Sequence, residues 1–153
     1  MIVLVDEKLT NDIELMVFGS DEPDNPPEFG VKVHYMGSFS DDLSISMLYS
    51  AADIMVVPSR SESFSNTVLE ALSCGTPVAA FRIGGIPDQI DHKRNGYLAK
   101  PFDSTDLARG INFILEDDSR WQEMSLAARQ KVVEFFNENR IAREYVKVYE
   151  SFK

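Results

Sequence analysis

The 153 residues predict an α/β fold, with a parallel sheet as the middle of three layers and helices on both faces. Three observations carry that reading. Short apolar runs recur at Ile13–Phe18, Val31–Tyr35, Asp53–Val57 and Val78–Phe81, as expected of strands buried on both sides. Segments of helical period separate those runs and follow the last of them. A hydrophobic fraction of 44% at this length suits one domain with a real core.

Taken in order, Met1–Lys8 opens without a cap and reads as the tail of a helix. Ile13–Phe18 is a strand that ends at Gly19, and Asp21–Phe29, with Pro23, Pro26 and Pro27, is a loop. Val31–Tyr35 is the second strand. Asp41–Ala52 is a helix with Leu43, Met47, Leu48 and Ala51 on one face. Asp53–Val57 is the third strand, a helix begins near Asn66, and Val78–Phe81 is the fourth strand. Ile86–Ile90 reads as a short helix and Tyr97–Ala99 as a short fifth strand. Ser104–Leu115, Ser119–Phe135 and Glu138–Ser151 close the chain as helices. In the last of these, Ile141, Tyr145, Val148, Tyr149 and Phe152 recur at spacings of three and four and form one apolar stripe.

A net charge of −10 and a pI near 4.6 argue against a nucleic-acid surface, which needs clustered Lys and Arg. The same charge makes any anion site a local matter. Cys74 is the single cysteine, which excludes an internal disulfide and fits a reducing compartment; packing is its expected role. No apolar run reaches the length of a membrane span and no signal peptide is visible, so the expected setting is cytoplasmic.

The segment from Pro58 to Pro77, PSRSESFSNTVLEALSCGTP, holds the densest chemistry. It joins a strand end to a helix start, and such turns open at the carboxyl edge of an α/β sheet, where ligands bind. The helix start offers the backbone N–H groups of Asn66, Thr67 and Val68 and the positive end of a dipole. Glu62 lies in the loop and Glu70 inside the helix, so carboxylates flank an amide cluster suited to a phosphate. Taken alone, this pattern also fits ordinary capping in an acidic chain.

The segment resembles the signature of the retaining, nucleotide-sugar-dependent glycosyltransferases of GT-B fold, family 4. The resemblance rests on Pro58-Ser59, Glu62, Phe64, the seven residues between Glu62 and Glu70, then Ala71 and Gly75-Thr76-Pro77-Val78. Gly84-Gly85-Ile86-Pro87-Asp88 and Asn95-Gly96-Tyr97-Leu98 follow at the family's distances, and the similarity runs from about Ile13 to about Ile114. Ser65 departs from it, since the family usually has Gly there. The resemblance implies the carboxy-terminal, donor-binding half of such an enzyme, a Rossmann-like domain over residues 1–153. It also implies that this half lacks its first strand and helix, with their basic pair, and the amino-terminal acceptor-binding domain.

By the same resemblance, Glu70 accepts hydrogen bonds from ribose hydroxyls. Glu62 stands beside the donor sugar as the catalytic candidate, orienting it or stabilising developing positive charge. Asn66, Thr67 and Val68 meet the phosphates through backbone amides, and Ser65 counts among the substrate-binding residues. Phe64 either turns its amide to sugar hydroxyls with its ring packed inward or serves packing alone. Arg60 is the cation nearest the phosphate site, and Gly37-Ser38 meets the base edge. Gly84-Gly85 serves tight backbone geometry. No Asp-x-Asp occurs, and His34 and His92 fit no ligand spacing, so neither metal nor cofactor is expected.

The expected partners are a nucleotide-sugar donor and the acceptor-binding domain. The parent enzyme leaves room for an acceptor at the inner face of a membrane, and the exposed stripe predicts weak self-association of this piece. Two other readings stay open: a nucleotide-binding or interaction module without transferase activity, and a sugar-nucleotide epimerase fragment. The Glu62…Glu70 pair with Pro58-Ser59 favours the transferase over the epimerase.

Overall fold

Alternation along two short strands builds both sides of the core. In Ile54–Val57, the residues Ile54 and Val56 face one layer of helices while Met55 and Val57 face the other. In Val78–Phe81, Ala79 and Phe81 join the first set and Val78 and Ala80 the second. All eight are buried, which is why these strands read as unbroken apolar runs. The structure, a computed structural model, describes residues 2–7 and 12–152, with side chains from residue 13 onward.

The elements run β1 Ile2–Glu7, β2 Asp12–Val17, β3 Lys32–Tyr35, α1 Asp42–Ser50, β4 Ile54–Val57, α2 Asn66–Ser73, β5 Val78–Phe81, α3 Ile86–Gln89, β6 Gly96–Ala99, α4 Ser104–Leu115, α5 Asp118–Phe135 and α6 Glu138–Glu150. The sheet order is β3-β2-β1-β4-β5-β6. Parallel pairing joins β2 to β3, β4 to β5 and β5 to β6. Strand β1 lies antiparallel to both β2 and β4, so the five other strands point one way.

The beginning of the chain corrects one expectation: Ile2–Glu7 is a strand where the sequence suggested a helix tail. Met1 and Lys8, the ends of that expectation, lie outside the described residues. Ile2, Val3 and Val5 are β-branched and favour extended backbone. The sheet also gives this segment a neighbour on each side, pairing Ile2 with Val17 and with Val56.

Helix α1 departs from its expected face as well. Leu48 and Tyr49 are its buried residues, whereas Leu43 and Met47 are 71% and 64% exposed. Tyr49 was outside the apolar stripe, but its ring meets Phe18 edge-on at 5.4 Å and turns the helix about its axis. Helices α1 and α2 cover one face and α4 the other. Helix α5 serves both, Met124 entering the α4 side and Ala128 the α2 side, and Trp121 Nε1 donates to the Asp53 carbonyl at the foot of β4. Cys74 is half-buried against the core, in the packing role expected of it.

Candidate functional site

Because five strands share one direction, the segments after β2, β3, β4, β5 and β6 emerge at a single edge. That edge gathers Gly37-Ser38, the Pro58–Ser65 loop and Gly84-Gly85. Gly37 has φ 69° and accepts the Gly19 amide at 2.8 Å, which ties the ends of β2 and β3 together.

The loop carrying Glu62 is fixed by what packs beneath it. A Cβ at Gly84 would fall 1.5 Å from the Glu62 carbonyl oxygen, and one at Gly85 would fall 2.3 Å from that of Ser63. The Gly85 amide donates to the Ser63 carbonyl at 2.8 Å. Only glycine permits this approach, and Gly84 also sits at φ 49°. Four residues after Gly85, Gln89 is fully buried and clamps Ser65: its Oε1 accepts the Ser65 amide at 3.3 Å and its Nε2 donates to the Ser65 carbonyl at 2.7 Å. Asn95 Nδ2 in turn donates to the Gln89 carbonyl at 3.3 Å.

Helices α1, α4, α5 and α6 each begin with an Asp or Asn side chain accepting a backbone amide. Helix α2 does not. Its N-cap Ser65 turns its hydroxyl to Thr67 Oγ1 at 3.0 Å and caps nothing. The amides of Asn66, Thr67 and Val68 therefore remain for an outside acceptor, at the positive end of the helix.

Glu70 lies exposed on the same helix. Its Oε2 accepts the Tyr49 hydroxyl at 3.1 Å, and the Tyr49 carbonyl accepts Thr76 Oγ1 at 2.6 Å. Burial, and then the carboxylate of Glu70, push the Tyr49 hydroxyl far above its ordinary range, so it stays a proton donor. Tyr49 and Gln89 were both missed from the sequence. The one trace of each there is a polar group beside apolar neighbours, Met47-Leu48 before Tyr49 and Ile86 and Ile90 around Gln89, with no sign of its partner.

Two predicted residues stand elsewhere than expected. The Phe64 ring is 42% exposed and leans on Phe136 with centroids 5.8 Å apart, because the Gly85 backbone occupies the space beneath it. Arg60 does not join the α2 amides. Its guanidinium lies 5.4 Å above the Phe102 ring, beside Phe81, on the α4 side of the sheet. Helix α2 packs on the opposite face through Val68, Ala71 and Leu72.

Among the described residues, no group of three His, Cys, Asp or Glu side chains could hold a metal ion. His34 Nε2 pairs with Glu14 at 2.6 Å, and His92 Nδ1 accepts the Leu98 amide at 3.0 Å. No helix among those residues is long and apolar enough to cross a membrane. A groove of about 470 Å³ between β2, β3 and α1, lined by Met16, Met36, Met47 and neighbours, contains none of the predicted site residues.

A three-layer sheet of this order, with its loops collected at the carboxyl edge, is a Rossmann-like domain of the GT-B kind. Residues 2–117 match the family described as glycosyl transferases group 1, and the chain belongs to that family. N-acetyl-alpha-D-glucosaminyl L-malate synthase of Bacillus anthracis is 35% identical over 106 residues, covering 69% of this chain and 28% of that protein. The N,N'-diacetylbacillosaminyl-diphospho-undecaprenol alpha-1,3-N-acetylgalactosaminyltransferase of Campylobacter jejuni is 35% identical over 118 residues, covering 77% and 30%. Sucrose-phosphate synthase of Thermosynechococcus elongatus superposes with a TM-score of 0.76 at 28% identity, over 90% of this chain and 38% of that one. Anabaena HepE in complex with UDP-glucose gives 0.68 at 29% identity, over 81% and 33%. The chain thus spans less than two fifths of the length of each.

Proposed function

We propose that this chain is the donor-binding part of a retaining glycosyltransferase of family 4, one that moves a sugar from a nucleoside diphosphate to an acceptor. The observation that carries the reading is the start of α2, left without a side-chain cap and flanked by Glu62 and Glu70. Structures similar to this chain hold UDP and UDP-glucose, which supports a nucleotide-sugar donor.

In this reading the Asn66, Thr67 and Val68 amides face the diphosphate. As the bond from the anomeric carbon to the diphosphate breaks, negative charge grows on the leaving group, and fixed amides stabilise it without reorganising. Glu70, steadied by Tyr49, takes the ribose hydroxyls, and Gly37-Ser38 meets the base edge. Glu62 orients the donor sugar and stabilises the positive charge developing at its anomeric carbon. Phe64 presents its backbone amide to sugar hydroxyls. No metal is needed for these roles. Transfer itself belongs to a longer, cytoplasmic molecule that supplies the acceptor-binding domain, and this chain alone transfers no sugar. A nucleotide-binding module without transfer is the second reading, because Glu70 and the amides account for nucleotide binding on their own.

Kinetics of the longer enzyme test the assignment. Glu70→Ala removes a charge-assisted hydrogen bond, typically ~1.5–3 kcal/mol, and is expected to raise the donor KM about 10- to 150-fold. Glu62→Gln is expected to lower kcat with donor KM little changed. A donor KM unmoved by Glu70→Ala removes Glu70 from the site, and an unmoved kcat removes Glu62 from the chemistry.

A further inference from the structure

We infer that the carboxyl edge of β4 and β5 carries a second anion site, built from Arg60 and the ring of Phe102, which takes an anionic group borne on a sugar ring. The inference rests on the transferase reading only in assigning this ligand to the acceptor side.

Phe102 is the first observation. Its φ is 63°, a left-handed conformation that bulky side chains rarely adopt and that glycine enters without strain. Burial does not compensate, since the side chain is 54% exposed. A strained and exposed aromatic at a sheet edge is better explained by what it contacts than by stability. Its ring meets Phe81 edge-on at 6.0 Å and leaves a face toward Arg60. Pro58, Arg60, Phe81 and Phe102 together line a concavity of about 230 Å³.

The second observation is charge. In a chain of net charge −10, each of the last three strands is followed by a cation, Arg60 after β4, Arg82 after β5 and Lys100 after β6. Phe81 pairs with Ala99, and the Arg82 amide donates to the Ala99 carbonyl at 2.8 Å, so Arg82 and Lys100 leave the sheet side by side. Among the described residues, Arg60 and Arg82 form no ion pair. Lys100 shares the field of Asp106, whose carboxylate also accepts the Lys100 amide at 2.8 Å and the Tyr97 hydroxyl at 3.1 Å. Asp103 is engaged in capping α4. Arg82 stands outside the lining of the concavity and its charge acts on His92, so Arg60 is the cation without an ion pair at the site.

A guanidinium suits the two-pronged geometry of a phosphate or carboxylate, and the exposed part of the Phe102 ring beside it suits the C–H surface of a sugar. The site lies on the α4 side of the sheet, whereas the uncapped amides begin the helix on the other side. One ligand does not account for both, and the edge has room for an acceptor beside the donor.

The test is titration of this chain with glucose 6-phosphate, inorganic phosphate, glucose and UDP, read by amide chemical shifts in the parent, Arg60→Ala and Phe102→Gly proteins. Glucose 6-phosphate is expected to move Arg60 and Phe102, and to bind more tightly than inorganic phosphate or glucose. Arg60→Ala weakens it about tenfold. Phe102→Gly folds, since glycine accepts the backbone, but no longer distinguishes glucose 6-phosphate from inorganic phosphate. UDP moves Asn66, Thr67 and Val68 in all three proteins. If UDP does so and glucose 6-phosphate moves nothing at Arg60 and Phe102, the second site is overturned while the donor site stands. It is equally overturned if UDP acts chiefly on Arg60 and Phe102, or if glucose 6-phosphate and inorganic phosphate bind the parent protein alike.

Discussion

Gly84, Gln89 and Glu62 show how the position of one side chain is decided by residues distant in sequence. Gly84→Ala would drive a Cβ into the Glu62 carbonyl at φ 49°, which no rotamer change relieves. The expected loss is about 1–3 kcal/mol in urea unfolding, together with a moved Glu62 loop; an unchanged midpoint contradicts the packing described. Gln89→Leu keeps the volume but strands the amide and carbonyl of Ser65. About 1–3 kcal/mol per buried group is expected from the same measurement, and a neutral substitution would show that the clamp does not hold the loop. The sequence displayed Glu62, Glu70 and the amides at Asn66–Val68 because they lie within nine residues of one another. It hid Tyr49 and Gln89 because their partners lie 21 and 24 residues away. The Arg60 side chain followed Phe102, a ring 42 residues on that nothing near Arg60 announces.

At the scale of elements, helix boundaries were legible wherever an Asp or Asn stood before the first turn, as with Asp103 and Ser104–Leu115. Strand β1 was not, because its pairing with β2 and β4 is a long-range property that a six-residue apolar run does not disclose. Strand β6 is held in part by His92, whose Nδ1 accepts the Leu98 amide only while the ring is neutral. Burial first, then the charges of Lys93 and Arg82, hold its pKa below the ordinary 6.5. The unfolded chain therefore takes up the proton more readily, so the stability His92 contributes is present above 6.5 and is lost as pH falls through the lowered value. The lowered carboxylates of Glu14, Asp41, Asp106 and Glu144 act only below their ordinary 3.8 to 4.5. Thermal unfolding from about pH 7 to about pH 5.5 is expected to show a falling midpoint in the parent and a flatter one in His92→Asn, whose amide oxygen accepts without titrating. Parallel profiles for the two proteins would refute this assignment.

For the whole molecule, α6 is the one helix among the described residues that gives nothing to the core. None of its residues is buried, and Tyr145, Tyr149 and Phe152 are 61%, 69% and 83% exposed. Such a stripe favours association, and a weak, concentration-dependent dimer is expected in sedimentation, abolished by Tyr145→Glu with Phe152→Ser. A monomer at every accessible concentration would contradict it. The larger claim is that the uncapped start of α2 receives a nucleoside diphosphate. The direct measurement is titration of the folded chain with uridine, guanosine and adenosine diphosphates, following the amides of Asn66, Thr67 and Val68. Saturable shifts at those three residues with at least one of the nucleotides are predicted, with Kd on the order of 1 mM because one helix end without a basic partner binds weakly. A folded sample in which none of the three nucleotides moves those amides would contradict the account.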